Sequence, residues 1–247
     1  MYPNNFPLIS VITVCYNAEE IIEKTLKSIT TQSCNDIEYI VIDGKSTDKT
    51  CGIIKRYKNQ ISQFISEKDT GIYNAMNKGV KVAQGEWIIF INAGDTFAEF
   101  GTLNKIIPYL SIPDYDIVYG DVLRKDGKEN LIPKKASAPT NMHRMFFCHQ
   151  SAFCRKNLLI EMPFDERYKL SSDFKFVKIS FLRGYRFKQV DFPIAIFDIT
   201  GVSNTRRNVG LWENVFIVRE IDHFKDKIRL LPKLYYVIFW NFIRGKR

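Results

Sequence analysis

Three aspartates, Asp43, Asp69 and Asp95, stand at or just past the ends of successive apolar, β-rich segments. The sharpest case is Trp87 to Asp95, W-I-I-F-I-N-A-G-D, where an apolar run halts abruptly at Asn92-Ala93-Gly94-Asp95. Open α/β sheets bind ligands outside the carboxyl ends of their strands. A carboxylate there can accept hydrogen bonds from a nucleobase N–H or a ribose hydroxyl. It can also hold a hard cation that takes its remaining oxygens from phosphate. Each aspartate alone is equally an ordinary turn residue. Their recurrence on successive strands is what points to one shared crevice.

The elements that must position them follow a β-α alternation. Leu8 to Tyr16 reads as a central strand, and Ala18 to Thr31 as a helix with Ile21, Ile22, Leu26 and Ile29 inward. Ile37 to Ile42 is a second strand ending at Asp43-Gly44, and Asp48 suits the N-cap of a helix through Tyr57. Ile61 to Ser66 is a third strand. Gly71 to Gln84 is a helix with Ile72, Met76, Val80 and Ala83 on one face, stopped by Gly85. This rhythm predicts an α/β fold, a mostly parallel central sheet with helices on both faces.

After Asp95 the pattern loosens. Leu103 to Leu110 reads as a helix, and Asp116 to Arg124 with Lys128 to Ile132 as a hairpin around Asp126-Gly127. Met145 to Cys154 reads as a strand, Leu170 to Leu182 as a helix, and Phe187 to Phe197 as a strand interrupted by Pro193. The tail suggests two amphipathic helices, Gly210 to Phe224 and Lys227 to Ile243. The second is rich in Tyr235, Tyr236, Phe239, Trp240 and Phe242 and flanked by Lys225, Lys227, Arg229, Lys233, Arg244, Lys246 and Arg247. Two readings stand for it: a helix lying on an anionic membrane surface, or one docked on the rest of the chain.

The formal net charge of +9 over 247 residues suits an anionic partner without choosing among nucleotide, nucleic acid and membrane. Five scattered cysteines and three histidines show neither Cys-x-x-Cys pairs nor zinc-ligand spacing, which favours a reducing cytoplasm. No signal peptide is apparent in Met1 to Pro7, and no apolar run approaches the ~20 residues of a spanning helix. Tyr16-Asn17-Ala18-Glu19-Glu20 replaces any glycine-rich phosphate loop after the first strand, which disfavours nicotinamide dehydrogenases and P-loop kinases. No Gly-x-Ser-x-Gly elbow is present.

Four ordered segments together resemble the inverting family 2 glycosyltransferases of GT-A fold, in particular the bacterial branch that builds cell-envelope polysaccharides. They are S-V-I-T-V-C-Y-N (10–17), I-E-Y-I-V-I-D-G-K-S-T-D (37–48), S-E-K-D-T-G-I-Y-N-A-M-N-K-G (66–79) and G-E-W-I-I-F-I-N-A-G-D (85–95). The match is strong over about the first 95 residues and looser to about Ser203. The resemblance implies a hexosyltransferase-type enzyme using a nucleotide-diphosphate sugar. Asp43 and Asp69 would bind the nucleotide, with Asn77 and Gly79 framing its pocket. Asp95 would hold a divalent cation, Mn²⁺ or Mg²⁺, against the diphosphate. Asp173 would be the general base. His149, Gln150 and Asn92 would lie beside the acceptor, a saccharide or lipid-linked saccharide, although His149 could equally be a buried, hydrogen-bonded strand residue.

Two departures from the family pattern stand out. Asn92-Ala93-Gly94-Asp95 carries one carboxylate where the family has two, and Ser172 rather than Glu precedes Asp173. The absence of Gln-x-x-Arg-Trp favours transfer of one sugar per encounter. The implied organisation is a catalytic domain over 1–205, with a nucleotide-binding half (1–95) and an acceptor half (96–205), and a basic, aromatic helical extension over 206–247. The expected location is cytoplasmic, peripheral at the inner face of the inner membrane, with no nucleic acid partner. A sugar-nucleotide nucleotidyltransferase and a non-enzymatic basic nucleic-acid or membrane-surface binding protein are the alternatives.

Overall fold

The structure is a computed structural model that describes residues 6–34, 36–198 and 207–244. One sheet runs through residues 9–198 in the order β3-β2-β1-β4-β8-β6-β9-β5, with β7 paired to β6. Its parallel part comprises β1 (Ile9–Cys15), β2 (Ile37–Asp43), β3 (Gln63–Ser66) and β4 (Trp87–Phe90). Strand β1 is fully buried because both faces are covered. Ile9 and Val11 pack toward α1 (Ile22–Thr30), whereas Ile12 and Val14 pack toward α3 (Ile72–Val82). That explains its nearly unbroken apolar run.

Beyond β4 the sheet changes character. Strand β8 (Ala152–Arg155) pairs antiparallel with β4 and with β6 (Ile117–Lys125). Strand β9 (Phe187–Asp198) runs parallel to β6, with a register shift around Asp121 and Pro193, where proline cannot donate to the ladder. Short β5 (Thr96–Phe97) closes against β9, and β7 (Leu131–Lys134) against β6. Helices α2 (Thr50–Lys55), α4 (Thr102–Leu110), α5 (Lys156–Glu161) and α6 (Ser172–Leu182) complete the layers, followed by α7 (Arg207–Ile221) and α8 (Phe224–Ile243).

Several sequence expectations shift. The first helix begins at Ile22, after a turn closed by Ile22 N–H on Ala18 O, and Ile21 is exposed. On α3 Met76 and Val80 face inward as expected and Ala83 is buried at its end, but Ile72 is exposed and Tyr73 takes its inward place. Gly85 is not a helix stop: a Cβ there would stand 2.5 Å from Ser10 N, so it is fixed by close approach to β1. The Asp126-Gly127 hairpin has a longer turn, with Asp126 Oδ1 accepting from Lys128 N and Asn130 N and Glu129 taking a positive φ of 66°. The segment Met145 to Cys154 is not one strand, because a single 3-10 turn at His149–Ser151 precedes β8. That turn lifts His149 out of the sheet. The expected boundary at 205/206 and the tail residues Lys246 and Arg247 lie outside the described residues.

Candidate active site

The register of the parallel strands aligns the candidate residues. Cys15 pairs with Asp43, and Asp43 with Ser66, so three strands end at one rim. The chain past β4 continues beside β1, with Ala93 N–H donating to Val14 O at 3.2 Å, which brings Asn92 to the same rim. Asn17 follows β1 in a left-handed conformation (φ 46°) that asparagine tolerates. Its amide oxygen accepts Thr47 N–H at 2.9 Å, and its own N–H donates to Ser46 Oγ at 2.8 Å, tying the β1 and β2 ends together.

Asp43 is fully buried and heavily hydrogen-bonded. It accepts from Ser46 N (3.0 Å), Ser46 Oγ, Ser66 Oγ (2.6 Å) and Cys51 Sγ (3.2 Å). Burial alone would raise its pKa, but the Ser46 and Ser66 hydrogen bonds outweigh burial and hold it below the usual carboxylate range. Asp69 lies directly across Gly44, where a Cβ would stand 2.5 Å from Asp69 Oδ2. Its Oδ1 accepts Gly71 N–H at 3.0 Å, at the entry to α3. Asp69 is partly exposed where Asp43 is sealed, so Asp69 is the carboxylate open to a ligand.

Asn77 and Gly79, expected to frame the nucleotide pocket, have other partners. The Asn77 amide accepts Phe164 N–H and donates to Phe164 O and Glu166 Oε1, all within 3.0 Å, so it clamps the 164–166 loop. Gly79 faces the underside of the sheet, where a Cβ would stand 2.7 Å from Ile12 Cγ2. Its smallness lets α3 approach β1.

Asp95 is 7 % exposed, and burial pushes its carboxyl up to about 6 against the opposing influence of His149 and a hydrogen bond from Gln150. Asp198 N–H reaches its Oδ1 at 3.4 Å. The turn carrying it is braced by Thr25, whose hydroxyl donates to Asp95 O at 2.8 Å and accepts Gly94 N–H at 3.0 Å. Gly94 takes φ 98°, a conformation that suits glycine. The buried Asn92 Oδ1 has no hydrogen-bond partner among the described residues. One carboxylate and one unsatisfied amide oxygen on the same turn are donors of the kind a hard cation takes. No group of three or more His, Cys, Asp or Glu suited to a metal occurs among the described residues. Most of the coordination would therefore come from a ligand's own oxygens.

Asp173 opens α6 from the opposite side. Its Oδ2 is 3.0 Å from His149 Nδ1, and its Oδ1 accepts from Tyr73 OH at 2.9 Å and Phe174 N at 2.8 Å. Burial works against its charge, yet His149 and Tyr73 hold its pKa below the ordinary value. Burial also disfavours the His149 imidazolium, but Asp173 and then Asp95 outweigh that and raise its pKa. His149 Nε2 lies 3.5 Å from Asn92 Nδ2, so the pair faces the Asn92–Asp95 turn. A chain of side-chain contacts thus runs from Tyr73 through Asp173 and His149 to Asn92, on the turn that carries Asp95.

Sequence reasoning did not single out Tyr73, Thr25, Ser46 or Ser66. Tyr73 lies in the 66–79 segment, but neither its helical face nor the resemblance points to it. The other three are hydroxyl residues whose importance depends on which carboxylate or turn they meet.

The glycosyl transferase family 2 model matches residues 10–191, and the chain belongs to that family. A PGL/p-HBAD biosynthesis glycosyltransferase of Mycobacterium bovis is 31% identical over 179 residues, covering 69% of this chain and 68% of that protein. Among solved structures, the mannosyltransferase PcManGT of Pyrobaculum calidifontis, in complex with GDP-Man and Mn²⁺, superposes with a TM-score of 0.73 at 18% identity, over 96% of this chain and 72% of that one. Staphylococcus aureus TarS residues 1–349 give 0.66 at 21% identity, over 87% of this chain and 66% of that one. The fold is GT-A, and the protein is a glycosyltransferase. This sets aside the nucleotidyltransferase and non-enzymatic alternatives.

Proposed function

We propose that the protein is an inverting, non-processive enzyme that moves one sugar from a nucleotide-diphosphate sugar to a saccharide or lipid-linked saccharide. Residues 1–205 form the catalytic domain, with donor (1–95) and acceptor (96–205) halves, and residues 206–247 form its helical extension. The observation that carries this reading is the Asp173–His149 pair at 3.0 Å, facing the Asn92–Asp95 turn across the rim of the parallel strands.

On the donor side, Asp69 reads the base or ribose, while Asp43 holds Ser46 and Ser66 in place around it. Asn92 and Asp95 would hold Mn²⁺ or Mg²⁺, which supplies Lewis-acid stabilisation of charge on the departing diphosphate. On the acceptor side, a hydroxyl bound against His149 and Gln150 attacks the anomeric carbon from the face opposite the diphosphate. Its proton passes to the Asp173–His149 pair as the new bond forms, a role worth ~10²–10⁴-fold. With Nδ1–H donating to Asp173, the imidazole presents Nε2 as an acceptor toward the cleft. Tyr73 and the Phe174 amide keep Asp173 ionised and oriented. The working location is the cytoplasmic face of the membrane, where lipid-linked acceptors are presented.

Thermal-shift titration with uridine, guanosine and thymidine diphosphate sugars, with and without Mn²⁺, tests the donor side. The reading expects one base to stabilise the protein, more strongly with Mn²⁺. Absence of any response across the panel would count against it.

A further inference from the structure

The face that α7 and α8 turn away from the catalytic domain is apolar. Trp212, Phe216, Tyr235, Tyr236, Phe239 and Phe242 lie there, with Phe216 53 %, Tyr236 65 %, Phe239 60 % and Phe242 81 % exposed. Trp212 meets Tyr235 across the two helices at 6.1 Å, so the aromatics of both form one patch. The opposite side of the hairpin is a conventional core, with Val215, Val218, Leu230 and Leu234 packed on Phe174 of α6. A helix pair apolar on both sides needs something on the second side.

Charge decides what that is. Every acid of the hairpin is used internally. Glu213 accepts Lys169 N–H and Leu170 N–H, Glu220 binds Lys175 and Tyr168, Asp222 pairs with Lys178, and Asp226 with Arg229. In contrast, Arg219, Lys225, Lys233 and Arg244 have no acidic partner among the described residues, and Arg244 lies over the Trp240 ring at 5.1 Å. Exposed aromatics on a hairpin that also carries unpaired cations match an anionic lipid interface. No described helix is long and apolar enough to cross a bilayer, so the hairpin would lie in the interface plane.

The inner side of the same hairpin reaches the active site. Glu213 holds the backbone of Lys169 and Leu170 at 2.7 and 2.8 Å, and Ser171 Oγ donates to Gly210 O at 3.1 Å. These residues lead directly into Ser172 and Asp173 at the start of α6. We propose that the α7–α8 hairpin docks the enzyme on an anionic bilayer and, through the 168–171 segment, holds Asp173 toward an acceptor carried by that bilayer. The docking surface stands on its own, whereas its link to the acceptor rests on the function proposed above.

The test is flotation of the full chain with phosphatidylcholine vesicles, alone and with phosphatidylglycerol, alongside light scattering of the free protein. Binding to the anionic vesicles only, weakened by salt, is expected. Lys225→Ala and Lys233→Ala should each weaken it about fivefold. The pair Phe216→Glu with Phe239→Glu, both exposed, should abolish it while leaving the melting temperature and donor hydrolysis in solution unchanged. Failure of the unaltered protein to bind anionic vesicles would overturn the proposal. A dimer dissolved by the same glutamates would also overturn it, assigning the face to a second copy of the chain. Vesicle binding with no donor hydrolysis by any variant would sink the functional reading and the acceptor link, leaving the docking surface intact.

Discussion

The proposed donor rim and the proposed acceptor rim of this glycosyltransferase hold their carboxylates by opposite means. Asp43 is fixed mostly by its own neighbourhood: Ser46 is three residues away, and Ser66 is its direct partner on the next strand. Asp173 is fixed by distant chain segments, with Tyr73 100 residues away and His149 on a separate turn. A site made by the loop that follows a strand survives local changes elsewhere. A site assembled from α3, the His149 turn and α6 depends on how distant segments pack. The donor rim is therefore the sturdier platform, and the acceptor rim is where small changes in packing become changes in rate.

Substitutions can break this contrast. The largest effect belongs to Asp173→Asn, which keeps the shape but removes the charge. Transfer should fall by ~10²–10⁴-fold while donor affinity stays within about threefold, measured by steady-state kinetics and calorimetry. Equal losses in rate and donor affinity would mean that the two rims are not separable.

Gly44→Ala should act oppositely. Its Cβ meets the Asp69 carboxylate at 2.5 Å and the exposed Tyr16 ring at 3.3 Å, both side chains that can shift, so the fold should survive while donor affinity falls about tenfold, the loss expected for one hydrogen bond of about 1.4 kcal/mol. Gly79→Ala sharpens the point, because there the Cβ meets the buried Ile12 side chain. Overpacking should cost about 1–3 kcal/mol of stability, seen in denaturant melts, with donor affinity of the folded fraction unchanged.

Tyr73→Phe is a smaller probe of the acceptor rim. The tyrosine hydrogen bond helps to lower the Asp173 pKa, so its removal raises it, and the acid limb of the pH–rate profile should move to higher pH. The rate at neutral pH should fall only several-fold, in line with one hydrogen bond of about 1 kcal/mol. The Asp173–His149 pair also predicts a pH window for stability. Asp173 is depressed, so its contribution is fully present above the ordinary carboxylate value and is lost as pH falls through the folded value. His149 is raised, so its contribution is fully present below the ordinary imidazole value and is lost as pH rises through the folded one. The melting-temperature gap between the unaltered protein and His149→Asn should thus be widest between about pH 4 and 6.5.

The same contrast explains what the sequence disclosed. The strands, the order of the first four β-α units and the positions of Asp43, Asp69 and Asp95 follow from local periodicity and turn chemistry. Asp173 and His149 came from resemblance, and their direct pairing did not follow from spacing, because the 3-10 turn that lifts His149 is hidden in an apolar stretch that reads as a strand. The partners of Asn77 and Gly79 were hidden for a related reason. They share a segment with Asp69, but the helix turns them toward the 164–166 loop and the sheet. Ser46 and Ser66 were invisible because a serine signals nothing until its carboxylate partner is known.

The most direct test of the whole site is a crystal structure with the preferred nucleoside diphosphate and Mn²⁺. The account predicts the base beside Asp69, the diphosphate against Asn92 and Asp95, and an anomalous Mn²⁺ signal at Asp95, with His149 Nε2 open across from it. A diphosphate seated away from the Asn92–Asp95 turn, or Asp173 walled off from the bound nucleotide, would contradict it.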